Sequence, residues 1–277
     1  MFGGRRRGVK KLLIASVTSL AVAAGLAAQT TNQGGGIEQI QVGGTPRVSP
    51  GDAVRPAPRL PDGTVDLTGP WVGGGSNGDI ERDGGLKEGE LPLLPWARQV
   101  RDTRKTENEP YTACLPMSVP RVNPYPWKFA MTYTAKGLSH IYVLHETGDA
   151  GAHRVIYMDG RLHPPDPVPT WWGHSIGRWE DDSLVVDTVG YNDKFWFDSR
   201  GTPHTEQLHT IERFTRINFG TLINDFTLDD PGAFSRPVQL TFTATHIRPD
   251  LDMMEFICLE DNQYGVAGGF TPAQPDR

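Results

Sequence analysis

Residues 171–193, WWGHSIGRWEDDSLVVDTVGYND, gather the side chains best suited to chemistry. Gly173-His174-Ser175-Ile176-Gly177 is a literal G-x-S-x-G, and Asp187, Asp193, Asp198, His204 and His209 follow it. Serine, acid and histidine in that chain order would suit a serine hydrolase. Such a serine needs a strand before it and a helix after it, because the sharp turn between them exposes the hydroxyl. Here HPPDPVPTWW, with four prolines in ten residues, precedes the motif, which no central strand tolerates. Strand-forming sequence follows it. The context argues against a nucleophile elbow, and Gly173 and Gly177 read as points of close backbone approach.

General acid–base chemistry asks for less: a carboxylate or imidazole whose surroundings shift its pKa. His174 ends a stiff proline-rich loop, and His209 stands where the loop around Pro203 enters a strand. The two are expected to face one cavity, with Tyr157 or Arg154 from a third strand. Alternation puts Arg154, Ile156 and Met158 on one face, and His153, Val155 and Tyr157 on the other. Val185, Asp187 and Val189 also share a face, and an acid among valines must be paired; Arg154 and Arg178 are candidate partners. The catalytic candidates are therefore His174, His209, Asp187, Tyr157 and Arg154. Trp172, Trp179, Asn192, Asp193, Trp196 and His204, aromatic and polar groups clustered in Gly- and Pro-rich sequence, are the candidate substrate-binding residues. His174, His204 and His209 could instead bind a metal for hydrolysis, but no recognised metal motif is present. Without a metal these are loop histidines, and Glu212 and Arg213 form a structural ion pair. A buried Asp–Arg pair of purely structural purpose is the competing reading of Asp187.

These groups must be positioned by strands. WKFAMTYTA, SHIYVLHE, HRVIYMDG, SLVVDTVGY, HTIERFTRI, TLINDFTLDD, VQLTFTATHI and MMEFICLE are short, rich in β-branched and aromatic residues, and separated by turn formers. Ala135-Lys136-Gly137, Asp181-Asp182 and Asn218-Phe219-Gly220 read as tight turns. One helix is expected, over 91–107, with Pro95 in its first turn. A series of strands without interleaved helices predicts a mainly β domain, an antiparallel up-and-down barrel or a sandwich with one N-terminal helix.

Residues 1–28 carry Arg5, Arg6, Arg7, Lys10 and Lys11 before a mildly apolar run ending in alanines, the pattern of a cleavable export signal. The adjacent arginines leave the twin-arginine and general routes both open. Residues 29–60 read as a disordered tether and 61–277 as a single domain, periplasmic or secreted. The chain has 27 basic and 33 acidic side chains; the signal takes five basic ones, leaving 22 against 33, a net −11. That charge disfavours nucleic acid and anionic membrane, so a small molecule is the expected partner. Cys114 and Cys258, in an exported chain, are expected to bridge.

The blocks DLTGPW (66–71), CLPMSVPR (114–121), YMDGRLHP (157–164), WWGHSIGRWEDDSLVVDTVGYND (171–193), GTPHTEQLHTIERF (201–214) and DDPGAF (229–234) resemble a widespread family of uncharacterised exported bacterial proteins. Asp181 stands where that family has a turn glycine. The resemblance implies export and no activity. Gly69-Pro70-Trp71 is also similar to the Gly-x-Trp of lipocalins, where a tryptophan closes one barrel end. The residues together point to an exported small-molecule-binding barrel. It would be an enzyme of lyase, isomerase or hydrolase type needing no cofactor, with a non-catalytic periplasmic carrier and the metal-dependent hydrolase as alternatives.

Overall fold

The computed structural model describes Met1 and residues 45–121, 125–147 and 153–258. The rest of the expected export signal, and residues 29–44 of the expected tether, lie outside the described residues. Nine strands close into a barrel in sequence order: β1 Trp71–Gly73, β2 Trp127–Thr134, β3 Gly137–His145, β4 His153–Tyr157, β5 His174–Glu180, β6 Ser183–Val189, β7 His209–Asn218, β8 Thr221–Asp229 and β9 Val238–His246. Neighbours are antiparallel except β4 and β5, which run parallel. The exception is a parity requirement. Strands alternating in direction close a ring only when even in number, so a ring of nine must hold a parallel pair. A parallel pair cannot be joined by a hairpin. The proline-rich run 158–173 is the crossover that returns the chain to the start of β5.

The expected turns form. Ala135-Lys136, Asp181-Asp182 and Phe219-Gly220 each link two strands as a two-residue loop. Asp181 takes φ 51°, the left-handed conformation that a turn glycine would adopt without strain. Ser175 lies within β5, and no helix follows it, so the chain makes no nucleophile elbow. Gly177 permits the packing expected of it: a Cβ there would come 2.4 Å from Met158 Sδ.

Three expectations are corrected. Residues 45–60 are not all tether, because Arg47 bridges Ile247, Val48 is buried and Arg59 pairs with Asp182 at 2.5 Å. The helix is shorter than 91–107: α3 spans Pro95–Thr103, after two four-residue helices, α1 Pro50–Ala53 and α2 Ile80–Asp83. Pro95 keeps the preceding Leu94 extended, and Leu93 bridges Phe234 instead. The segment 253–260 contributes no strand as far as Ile257. It is held by the Cys114–Cys258 disulfide, with Cα atoms 5.6 Å apart.

Two apolar clusters fill the molecule. One joins Phe226, Leu228, Leu240 and Phe242 to Ala97 of α3 and to Tyr191, Phe195 and Phe197. The other is built from Trp71, Trp127, Phe129, Ile141, Ile156, Leu184, Val186 and Phe214. Trp71 plugs this second region: its Nε1 donates to Leu67 O at 2.9 Å, and the Arg216 guanidinium lies 4.8 Å over its ring. Along β6, β7 and β8 the passage from one cluster to the other falls at Thr188, Glu212 and Asn224, all inward and buried. Arg154 of β4 completes this polar layer.

Candidate functional site

Strand alternation divides the chemistry between two faces of the barrel wall. Arg154, Ser175, Thr188 and Glu212 point inward. Tyr157, His174, Asp187 and His209 point outward, on four consecutive strands, β4 to β7. All four outward groups are half-buried, and the crossover contributes His163 and Arg161 to them.

One oxygen organises the outer group. Asp187 Oδ1 lies 2.8 Å from His209 Nε2 and 3.1 Å from His163 Nε2. His163 Nδ1 in turn lies 2.8 Å from His174 Nδ1. The His174 ring stacks on Tyr157 with centroids 5.1 Å apart, and the Arg161 guanidinium covers the Tyr157 ring at 3.8 Å. Arg161 is held by Asp159. Ile176 and Ile211 flank Asp187 in register on the same face, both part-exposed. Leu162 and Val168 of the crossover project into solvent at 84% and 80% exposure.

The imidazoles at the two ends are driven apart in pKa. Burial lowers His174 below its ordinary value, and the nearby His163 and Arg161 act the same way. The hydrogen bond to Asp187 raises His209, against the effect of burial. Asp187 is lowered, chiefly by the hydrogen bond from His209, with His163 adding to it. A base lowered in pKa and an acid raised in pKa, linked through His163 and Asp187, are arranged to take a proton and to give one.

The expected catalytic residues are thus brought together with one exception. His174, His209, Asp187 and Tyr157 share a face, the outer one rather than a barrel lumen. Arg154 lies on the other side of the wall, and Asp187 is partnered by imidazoles rather than by Arg154 or Arg178. Arg178 pairs instead with Glu180 at 2.6 Å. Period-2 geometry decides the case of Arg154, three residues from Tyr157 in β4, since residues of one strand an odd number apart cannot share a face. The same rule separates Glu212 from Arg213: Arg213 binds Glu180 outside, and Glu212 binds Arg154 inside. His163 was missed because a proline-rich loop carries no periodicity to place it.

Inside, Arg154 is 2% exposed, and its fork is spent on Glu212, on Ser175 Oγ at 2.9 Å and on Thr188 Oγ1 at 2.6 Å. Burial opposes its charge, but Glu212 more than offsets this and raises its pKa. His145 and Trp172 stack nearby, rings 5.2 Å apart and within 10° of parallel. Neither nitrogen of His145, nor Trp172 Nε1, nor Asn224 Oδ1 has a hydrogen-bond partner among the described residues. Burial holds His145 neutral, its pKa pushed down to about 3.

The other expected binding residues make their contacts elsewhere. Trp179 turns inward and packs on the second apolar cluster. Asn192 accepts from Lys194 N at 3.1 Å, Asp193 is exposed, and Trp196 lies under Arg104 at 4.7 Å. His204 is buried against Phe195 and Phe197, at 3.9 and 4.9 Å, and burial lowers its pKa to about 4. It therefore does not join His174 and His209. Among the described residues no three His, Cys, Asp or Glu side chains are disposed to hold a metal ion, which removes the donor set of the metal-dependent alternative. No described helix is long and apolar enough to cross a membrane.

Comparisons with protein-family models, with curated proteins and with solved structures gave no match.

Proposed function

We propose that this barrel binds a small apolar molecule, aromatic in character, against the outer wall of β4–β7 and performs acid–base chemistry on it with side chains alone. His174 is the base, His209 the acid, and Asp187 fixes the set. The observation that carries this is the single carboxylate oxygen holding two imidazoles at 2.8 and 3.1 Å, with a third imidazole of opposite pKa displacement at the end of the chain. Ile176, Ile211 and Tyr157 supply an apolar floor. Arg161, and His209 when it carries its second proton, supply positive charge where a carbonyl oxygen would gain negative charge. Export into an oxidising compartment is part of the reading, supported by the Cys114–Cys258 bridge. Membership of the exported family is likewise a proposal; three of its six blocks fall on the crossover, on the β5–β6 hairpin and on the start of β7, the elements that build the site. The acidic charge favours a small-molecule partner over nucleic acid or membrane.

The test is solvent-deuterium incorporation and ester hydrolysis over a panel of aryl carbonyl compounds, read by mass spectrometry. Wild type should turn over some members, and His174→Ala should lose about 10²–10⁴ in rate, the usual cost of removing a general base. Turnover unchanged in His174→Ala, or none beyond the uncatalysed rate with any compound, overturns the catalytic reading.

The carrier reading has an observation of its own, the unpartnered polar atoms of His145, Trp172 and Asn224 in the lumen. Native mass spectrometry of the purified protein decides it. A co-purified small molecule that survives His174→Ala and leaves with His145→Leu favours a lumen carrier.

A further inference from the structure

We infer that His163, on the crossover, is a positioning residue that fixes the tautomer of His174 and takes its proton, so that Asp187, His163 and His174 work as a two-imidazole relay. The inference rests on the acid–base reading of this wall and adds to it a part supplied by the loop.

The protons can be counted from the contacts. Ionised Asp187 only accepts, so the nitrogens facing its Oδ1, His163 Nε2 and His209 Nε2, both carry hydrogen. A neutral His163 then has a bare Nδ1. The atom 2.8 Å from it, His174 Nδ1, must supply the hydrogen of that bond. His174 is therefore the Nδ1–H tautomer, and its Nε2 is the free lone pair. This is the less common tautomer of a neutral histidine, and a partner has to impose it.

The relay step balances. As a substrate bond to hydrogen breaks, its electron pair stays on the substrate and His174 Nε2 gains the proton. His174 then passes its Nδ1 proton to His163 Nδ1. The positive charge now sits on His163, directly against Asp187, and His174 is neutral again with a proton on Nε2 to return to the product. No other reactant is consumed. The charged and titratable groups facing this chain are Tyr157 of β4, Arg161 of the crossover, Asp187 of β6 and His209 of β7, with Asp229 near His209. Only Asp187 lies in line to receive the charge from His163.

Nitrogen-15 NMR of the labelled full chain reads the tautomers without any substrate. Wild type should show His174 as Nδ1–H and His163 as Nε2–H. His163→Ala should switch His174 to the common Nε2–H form. His163→Gln, whose amide oxygen can accept but cannot relay a proton, should keep the Nδ1–H form. With a substrate in hand, both variants should lower kcat by on the order of 10²–10⁴, Gln included, with little change in KM. His174 found as Nε2–H in the wild type, or a tautomer unmoved in His163→Ala, overturns the relay while leaving the wider acid–base reading to its own test. Full kcat in His163→Gln reduces His163 to a hydrogen-bond acceptor and overturns the transfer step.

Discussion

Replacing Glu212 by leucine should be among the most damaging single changes in the barrel wall, and the reason is electrostatic rather than steric. Arg154 is 2% exposed and Glu212 fully buried, so Arg154 is solvated by Glu212, Ser175 and Thr188, and Glu212 by Arg154 and Asn224. Removing one partner leaves an uncompensated charge in a low-dielectric lumen, a loss of about 3–5 kcal/mol. That is a large part of the roughly 5–15 kcal/mol that holds a typical domain together. With a urea m-value of about 3 kcal/mol/M, the midpoint should fall by about 1–1.7 M. Arg154→Met should cost a similar amount. The double variant removes the charge pair together. Thr188 still donates to Ser175 at 2.9 Å, so few polar groups are stranded and the double should be more stable than either single variant. The measurement is urea unfolding of the disulfide-intact protein followed by tryptophan fluorescence and circular dichroism. A Glu212→Leu loss below about 1 kcal/mol, or a double-variant loss equal to the sum of the singles, refutes the assignment of this pair as the electrostatic centre of the barrel.

Stability should fall in mild acid: His145 and His204 are neutral when folded, with pKa values near 3 and 4, but titrate from 6.5 when unfolded. Between about pH 6 and 4.5 the unfolded chain thus binds up to two extra protons, a slope approaching about 2.7 kcal/mol per pH unit, and a flat melting temperature over that range would contradict it. His209 works in the opposite sense. Its raised pKa contributes stability that is complete below 6.5 and is lost as pH rises through the folded value, so Asp187→Asn should abolish a small decline in melting temperature as pH rises past 6.5. Opening the Cys114–Cys258 bridge, which spans 144 residues, should cost up to about 5 kcal/mol in the chain-entropy model, measured as the difference in unfolding free energy between wild type and a double Cys→Ser variant. Ser175→Ala should lower stability by about 1–3 kcal/mol through the lost partner of Arg154 and leave any turnover in place, because Ser175 faces the lumen; loss of turnover with the fold intact would restore the serine-hydrolase reading.

The barrel was legible because its signal is local. In HTIERFTRIN the alternation of Thr210, Glu212 and Phe214 against His209, Ile211 and Arg213 is the period of a strand, and it separates His209 from Glu212. The three tight turns were equally readable from their residues. What local pattern cannot carry is parity. Nothing in HRVIYMDG or in HSIGRWE says that the two strands lie side by side and parallel, since that depends on how many other strands the ring contains. The three-residue β1 was too short to show a period, and MMEFICLE has strand composition but is held at the chain's edge by Cys258.

The same distinction explains the site. Alternation put Tyr157 on the face opposite Arg154 and Asp187 among valines, without saying that this face turns outward, and loop position selected His174 and His209; the four do meet, on the outer wall rather than in the lumen. Asp187 was judged to need a partner, which is correct, but the partner was sought among arginines because an ion pair is the commonest answer. The actual partners come from β7 and from the crossover, and the crossover exists only because nine strands need a parallel pair. A ring of eight would have joined these strands by hairpins, and His163 would have had no reason to cross the wall. The parity of the barrel thus does two things at once. It forces a long connection across the outside of β5 and β6, and it makes the relay depend on that connection being seated. Gly190 shows how closely the loop lies, since a Cβ there would meet Pro167 Cβ at 2.8 Å. A bulky residue at 190 would lift the crossover while leaving the barrel closed. If the geometry of Asp187, His163 and His174 is set by the loop rather than by the strands, that lift alone should free His174 from its tautomer and leave the Asp187–His209 pair intact.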